Sequence, residues 1–144
     1  MLVESILREK GPEVVAVAPQ TTTVEAARVL TERRIGSVVV RDESGAVAGI
    51  LSERDVVRGL AEHGAAVVVM PVSALMTKEV IYAAPTDTLD AVLAVMTERR
   101  FRHLPVTEEG RLVGLVSIGD VVKRKIEEVT EEAEGLRAFV QGAG

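Results

Sequence analysis

The stretch VVAVAPQTTTVEAARVLTERR at residues 14–34 returns as VIYAAPTDTLDAVLAVMTERR at residues 80–100. The match continues, with a one-residue shift, between IGSVVVRDESGAVAGILSERDVV at 35–57 and FRHLPVTEEGRLVGLVSIGDVV at 101–122. Agreement in the same order along both segments indicates that one unit was duplicated. The aligned identities are Pro19 with Pro85, Thr22 with Thr88, Gly49 with Gly114, Ser52 with Ser117 and Asp55 with Asp120, among others.

Each unit is predicted to fold in the order β-α-β-β-α. In the first unit, the β-branched run Val14–Ala18 ends at a proline, which is typical of a strand, and Thr22 then caps a helix. The elements that follow are strands at Ser37–Arg41 and Ala46–Leu51 around a turn at Gly45, and a helix over Glu53–Glu62. In the second unit, the first strand is Val80–Tyr82 and the helix buries Leu89, Val92, Leu93 and Met96. Short helices are expected at Val3–Glu9 and Val72–Met76.

The predicted fold class is α+β, with two β-α-β-β-α units and a long C-terminal helix. Neither unit has enough residues to cover both faces of its small sheet, so we expect the two to pack together about a pseudo-two-fold axis. The expected boundaries are 1–62 for the first unit with its N-terminal helix, 63–71 for a connector, 72–128 for the second unit and 129–144 for a helical tail.

Composition excludes several classes of protein. The chain has 144 residues, with 17 Lys and Arg against 22 Asp and Glu and a net charge of −5. The acidic balance disfavours a phosphate-backbone binder, and three aromatic residues are too few for a surface that stacks nucleic-acid bases. The absence of cysteine excludes disulfides and thiolate chemistry. We therefore expect no nucleic-acid partner, no metal site and no obligatory cofactor.

Membrane insertion is not expected either. The longest apolar run, Ala65–Val72, is too short to span a bilayer and contains Pro71. Charged residues among the first ten interrupt any signal-peptide hydrophobic region. The expected location is the cytoplasm.

The motif Gly, two apolar residues, Ser, two variable residues and Asp occurs at Gly49–Asp55 and again at Gly114–Asp120. With the tandem β-α-β-β-α order, this motif resembles a cystathionine-beta-synthase (CBS) domain pair, as in the small stand-alone proteins of that family. The resemblance covers residues 1–128 and leaves no separate catalytic domain. It implies binding of an adenosine nucleotide (AMP, ADP, ATP or NAD) in the clefts between the motifs, and a regulatory role.

Ser52 and Asp55, and likewise Ser117 and Asp120, have the spacing of a capping box that opens a helix. A helix N-terminus also exposes unpaired N–H groups and partial positive charge, which suit a phosphate, and a hydroxyl there adds another donor. An ionised carboxylate only accepts hydrogen bonds and therefore suits the hydroxyls of a ribose. The resemblance implies that the two aspartates hold the ribose.

Arg102 and His103 stand at the start of the second strand of the second unit, where the family often places basic residues facing phosphate. The alternative for this pair is a solvated strand start. Their counterparts in the first unit, Gly36 and Ser37, carry no charge.

The two clefts are therefore expected to differ. The Asp55 cleft would gain the basic pair and take phosphorylated ligands. The Asp120 cleft would take the uncharged pair, with Arg54 as its positive group, and is expected to bind more weakly or to prefer a less charged ligand.

Thr77 matches a family position that lines the adenine pocket. Core packing and contact with the ligand explain the apolar wall of that pocket equally well; the wall residues are Val14, Val15, Val80 and Ile81. The first unit has Lys10-Gly11-Pro12 where the second has Met76-Thr77-Lys78, a further difference between the clefts.

The C-terminal segment has a heptad spacing of apolar residues, at Val122, Ile126, Val129, Ala133, Leu136 and Val140. One helix cannot bury such a stripe alone, so it packs across the domain or against a second subunit, and we expect a homodimer. Gly135 costs about 1 kcal/mol relative to alanine and is an expected site of a bend or break.

The expected function is a non-catalytic, adenosine-nucleotide-binding regulatory module that senses adenylate or NAD level and signals to a protein partner. The alternative is a ligand-independent, dimeric protein-interaction scaffold. A phosphate-ester hydrolase using Asp120 and His103 is not expected, because the sequence offers no second base, metal cluster or Gly-rich phosphate loop.

Overall fold

The computed structural model describes residues 1–143. Two 3-10 helices, at Gly64–Val69 and Val72–Ala74, stand where the connector and a short helix were expected. The other elements are α1 (Val3–Lys10), β1 (Ala16–Val17), α2 (Thr23–Arg33), β2 (Ser37–Arg41), β3 (Val47–Ser52), α3 (Glu53–His63), α4 (Leu89–Arg99), β4 (His103–Glu108), β5 (Arg111–Ser117) and α5 (Ile118–Ala143).

The chain forms two compact units, which divide it at other places than the sequence repeat does. The central unit is Val14–Ile81, and the terminal unit combines residues 1–13 with the described residues from Tyr82 onward. Helix α1 thus packs with the second repeat, and the segment 72–81 packs with the first. Each repeat is completed by the segment that precedes the other repeat.

The central unit is built on a three-stranded sheet in the order β1-β2-β3. Strand β1 runs parallel to β2, with Ala16 opposite Val39, and β2 pairs antiparallel with β3. Helix α2 begins at the expected cap, because the Thr22 hydroxyl accepts from the Glu25 N–H in a complete capping box. The core of this unit consists of Ala26, Leu30, Val38, Val40, Leu51, Val67, Val72 and Leu75.

The terminal unit has an antiparallel pair, β4 and β5, in place of a three-stranded sheet. The strand predicted at Val80–Tyr82 does not form; only Ala83 makes a parallel bridge, to Val106. In the central unit the N–H of Val39 donates to Val15 at the equivalent place. The matching residue of β4 is Pro105, which has no N–H to donate, so the ladder cannot extend toward the start of the predicted strand.

Helices α1 and α5 flank this hairpin. Val3 and Ile6 of α1 are buried, and the backbone N–H of Val3 donates to the carbonyl of Asp87 at 2.9 Å. Helix α5 continues unbroken through Gly135, so the expected break is not found. Over residues 1–143, no helix combines the length and apolar composition needed to cross a bilayer.

Candidate functional site

The motif serines cap the two helices that follow them. The Ser52 hydroxyl accepts from the N–H of Asp55 at 3.2 Å, and the N–H of Ser52 donates to Asp55 Oδ2 at 2.9 Å. Ser117 and Asp120 repeat the arrangement at 3.1 Å and 2.9 Å. Both capping boxes predicted from the sequence are therefore present, and each fixes its aspartate at the N-terminus of a helix.

Asp55 is a buried carboxylate with two further partners in the central unit. Only 2% of its side chain is exposed, and Arg58, which is 55% exposed, reaches Asp55 Oδ1 at 3.0 Å. The Thr77 hydroxyl lies 3.3 Å from Oδ1 and 3.4 Å from Oδ2 of the same carboxylate. Sequence reasoning missed Arg58, although a cation three residues after an acid on a helix is a recognisable pairing signal.

Thr77 reaches Asp55 because its backbone is bound to β3. The N–H of Thr77 donates to the carbonyl of Ile50 at 2.9 Å, and the N–H of Ile50 donates back at 3.0 Å. A Cβ on Gly49 would lie 2.7 Å from the Thr77 carbonyl oxygen and 2.8 Å from the sulfur of Met76. The motif glycine is therefore required for this close backbone approach.

Gly36 and Ser37 lie beside the capping box of their own unit. Ser37 is the register partner of Ser52, and the carbonyl of Gly36 accepts from the N–H of Glu53 at 3.0 Å. Ser37 is 1% exposed, and its hydroxyl has no hydrogen-bond partner among the residues that the structure describes. Buried hydroxyls are ordinarily paired, so this one has a donor and acceptor capacity that a bound molecule could satisfy.

The positions of the other site residues predicted in the central unit distinguish less clearly between contact with a ligand and packing in the core. Val15 packs against the core of that unit, in line with the packing interpretation. Arg54 is exposed at the start of α3. The other residues of the predicted apolar wall are half-buried; they are Val14, Val80 and Ile81.

Arg102 and His103 repeat the placement of Gly36 and Ser37 in the terminal unit. The carbonyl of Arg102 accepts from the N–H of Ile118 at 2.8 Å, and His103 is the register partner of Ser117. The Arg102 side chain is exposed and His103 is half-buried. The assignment of this basic pair to the Asp55 cleft, and of the uncharged pair to the Asp120 cleft, stays a prediction.

Asp120 differs from Asp55 in what binds it. The Lys10 ammonium donates to Asp120 Oδ2 at 2.8 Å and to the Leu115 carbonyl at 2.9 Å. The exposed fractions of the two side chains are 43% for Lys10 and 26% for Asp120. Burial opposes ionisation of Asp120, but hydrogen bonds from Lys10 and Ser117 outweigh it and hold its pKa below the usual range.

Helix α1 delivers Lys10 to this position. Leu7 of α1 occupies the space that a Cβ on Gly114 would need, so the second motif glycine makes room for a side chain where the first makes room for backbone. Glu9 of α1 meanwhile binds Lys123 at 3.2 Å and Arg124 at 3.3 Å. A cavity of about 110 Å³ lies among these groups, lined by Ile6, Glu9, Lys10, Asp120, Lys123 and Arg124.

Each unit thus presents a capped helix N-terminus with an acceptor carboxylate beside it. This arrangement can hold a group with adjacent hydroxyls and a nearby anion. Within residues 1–143, no group of three or more His, Asp or Glu side chains is placed to bind a metal ion.

Comparison with known families gives a match to the CBS domain at residues 3–62 and 72–127. The chain is 35% identical to the CBS domain-containing protein CBSX3, mitochondrial, of Arabidopsis thaliana, over 84% of this chain and 61% of that protein. The chain therefore spans less than two thirds of the length of this relative.

Two solved structures are similar over most of their length. The crystal structure of the CBS-domain protein ATU1752 from Agrobacterium tumefaciens is 47% identical, with a TM-score of 0.84, over 86% of this chain and 92% of that one. The CBS domain pair of MJ0100, in complex with 5′-methylthioadenosine and S-adenosyl-L-methionine, is 25% identical, with a TM-score of 0.79, over 89% of this chain and 98% of that one. The resemblance found in the sequence is confirmed, and the chain belongs to the CBS domain family as a tandem pair.

Proposed function

We propose that this chain is a non-catalytic regulatory module that binds an adenosine nucleotide and reports its level to a protein partner. The observation that carries the proposal is the buried Asp55 carboxylate, fixed at a helix N-terminus and contacted by the Thr77 hydroxyl. A carboxylate in this setting accepts hydrogen bonds from a ribose diol, while the helix N-terminus attracts a phosphate.

The contacts around Asp55 are able to rearrange on binding. The two Thr77 distances, 3.3 and 3.4 Å, are long for hydroxyl hydrogen bonds, so ribose hydroxyls can replace them at low cost. Arg58 approaches from solvent and is free to turn toward an anion, because more than half of its side chain is exposed.

Relatives support an adenosine ligand. The CBS domain pair of MJ0100 is described in complex with two adenosine compounds. We propose AMP, ADP, ATP or NAD for this chain, because a phosphate would use the helix N-terminus and the basic residues Arg102 and His103. Binding would favour one conformation of the pair over another, and the partner would respond to that shift.

The second candidate function is a dimeric interaction scaffold that needs no ligand. It is favoured by the exposed apolar stripe of α5, in which Val129 is 52%, Leu136 66% and Val140 62% exposed. We propose a second copy of this chain as the occupant. Glu132 and Arg137 flank the stripe at the heptad positions that meet across a parallel two-stranded coiled coil, where they have opposite charge.

Thermal unfolding with a panel of nucleotides separates the two functions. A ligand that binds only the folded chain stabilises it by about 2.7 kcal/mol at 100 times its Kd. We expect an upward shift in Tm with at least one of AMP, ADP, ATP and NAD, and no consumption of the nucleotide. The absence of a shift with all four, together with a concentration-dependent dimer, would favour the scaffold.

A further inference from the structure

The two motif aspartates occupy equivalent places in the repeat but are bound by different cations. In the central unit, Arg58 on α3 binds Asp55. Its counterpart in the terminal unit, Lys123, binds Glu9 instead, and Lys10 binds Asp120. Helix α1 therefore supplies both the acid that engages Lys123 and the base that engages Asp120.

We propose that Lys10 is a specificity-determining residue of the Asp120 site, which makes that site favour phosphorylated adenosine ligands over uncharged ones, the opposite of the preference expected from the sequence. The inference rests on the proposed function, because it assumes that Asp120 receives a ribose. In the free chain, Oδ2 of Asp120 accepts from both Lys10 and the N–H of Ser117, so a ribose diol that bonds to both carboxylate oxygens meets Lys10 at one of them.

An uncharged ligand such as adenosine gains little binding free energy at the Asp120 site. For both hydroxyls of a ribose to bond to the carboxylate, the one at Asp120 Oδ2 must displace the Lys10 ammonium from a contact of 2.8 Å. The exchange replaces a charge-assisted hydrogen bond with one from a neutral donor, which is weaker. Lys10 therefore competes with the sugar of adenosine.

A phosphorylated ligand changes this balance. Once displaced, Lys10 can bind the phosphate, so its charge stays paired while the ribose takes Asp120. The lysine is able to move, since 43% of its side chain is exposed. The adjoining cavity of about 110 Å³ gives the displaced ammonium and a phosphate group room beside Lys123 and Arg124.

The central unit differs in the group that its preceding segment supplies, although Arg58 of α3 itself also binds Asp55. The group that approaches Asp55 from the equivalent preceding segment is the Thr77 hydroxyl, which is neutral and both donates and accepts. Thr77 can therefore bond to a ribose together with Asp55, whereas Lys10 competes for its aspartate.

The test compares AMP with adenosine by calorimetry on full-length chains carrying Asp55→Asn, so that the Asp120 site is measured. Lys10→Met introduces the residue found at the matching repeat position, Met76. We expect Lys10→Met to weaken AMP about tenfold and to strengthen adenosine a fewfold, since one charged hydrogen bond is lost to AMP and one competitor to adenosine. Lys10→Arg should keep the preference for AMP.

Arg8→Met is the matched control, because Arg8 lies on the same helix, binds Glu4 and does not touch Asp120. If Lys10→Met perturbs folding of α1, Lys10→Gln provides the same test. An unchanged ratio of AMP to adenosine affinity in both neutral variants would overturn the inference and leave the proposed function standing. Failure of both ligands to bind any of these chains would overturn the proposed function at this site, and the inference with it.

Discussion

The Thr77 hydroxyl lies 3.3 Å from Asp55 Oδ1, 22 residues away in the chain, although Thr77 precedes the second repeat and Asp55 ends the motif of the first. The equivalent segment before the first repeat supplies Lys10, which reaches Asp120 of the second repeat. Each acceptor carboxylate is thus completed by the segment that leads into the other repeat. The chemistry of the two sites differs because these leading segments differ.

Gly49→Ala is expected to damage the Asp55 site through the backbone. The new Cβ would lie 2.7 Å from the Thr77 carbonyl oxygen, so the segment that carries Thr77 must move away from β3. We expect a loss of about 1–3 kcal/mol in the free energy of unfolding, measured by urea denaturation. Gly135→Ala is the control: its Cβ meets nothing within 4 Å, and it should add up to about 1 kcal/mol. Equal stability of the Gly49 variant and the wild type would contradict the role given to this glycine.

The prediction that assigns basic residues to clefts is tested by three alanine variants. If Asp55 and Arg102 serve one nucleotide, Asp55→Ala and Arg102→Ala should each weaken the same binding event about ten- to a hundred-fold. Asp120→Ala should affect the other event only. Calorimetry with AMP measures both, and the contribution of Arg102 should fall as salt is raised.

Loss of the tighter event in Asp120→Ala alone would show that the assignment of residues to clefts is wrong. If none of the three variants changes binding, Ser52 and Asp55 serve only to cap α3. Asp55→Asn, which retains an acceptor oxygen for the cap, separates loss of the ligand contact from loss of the cap.

The sequence predicts local structure better than it predicts which segments meet. Thr22 caps α2, and the hairpin of β2 and β3 forms, because these depend on residues close together in the chain. The missing strand before Ala83 depends on a proline in its partner strand, more than twenty residues later. A pattern within one segment of the sequence cannot reveal a cause that lies in another segment.

The candidate site shows the same difference between local structure, which the sequence predicts, and contacts between distant segments, which it does not. Both capping boxes were predictable from the Ser-x-x-Asp spacing, and both are present. Lys10 was visible only as a departure from the repeat, and its contact with Asp120, 110 residues away, depends on the packing of α1 against β5. Alignment of the two repeats predicts which residues are equivalent, whereas the packing of α1 determines which residues come into contact.

Acid should destabilise the terminal unit through Asp120. Hydrogen bonds from Lys10 and Ser117 outweigh burial, and the pKa of Asp120 lies below its value of 3.8 in the unfolded chain. The folded state therefore binds fewer protons, so this stabilisation is complete above about pH 4–5 and is lost as the pH falls through the folded-state pKa. Both side chains are partly exposed, so we expect a contribution of at most about 1 kcal/mol.

Urea denaturation between pH 7 and pH 3 measures this contribution. Asp120→Asn should flatten the acid limb of the stability curve relative to the wild type. In Lys10→Met, the carboxyl resonance of Asp120 should titrate at higher pH by NMR, because the ammonium is gone while the burial remains. An unmoved titration would contradict the contact between Lys10 and Asp120.

The last prediction concerns the stripe of α5. The part of α5 in the hydrophobic core ends at Val121, and every described side chain from Val129 to Gly142 is exposed. Truncation after Glu128 should therefore leave both units folded, with little change in stability, but should weaken self-association.

Leu136→Lys should do the same by placing a charge in the middle of the stripe, whereas Glu131→Lys, on the opposite face of the helix, should not. Light scattering across a dilution series measures the change in mass. An unchanged dimer in both the truncated chain and Leu136→Lys would show that the stripe is not the interface, and would leave the helices of the repeats as the surfaces through which two copies meet.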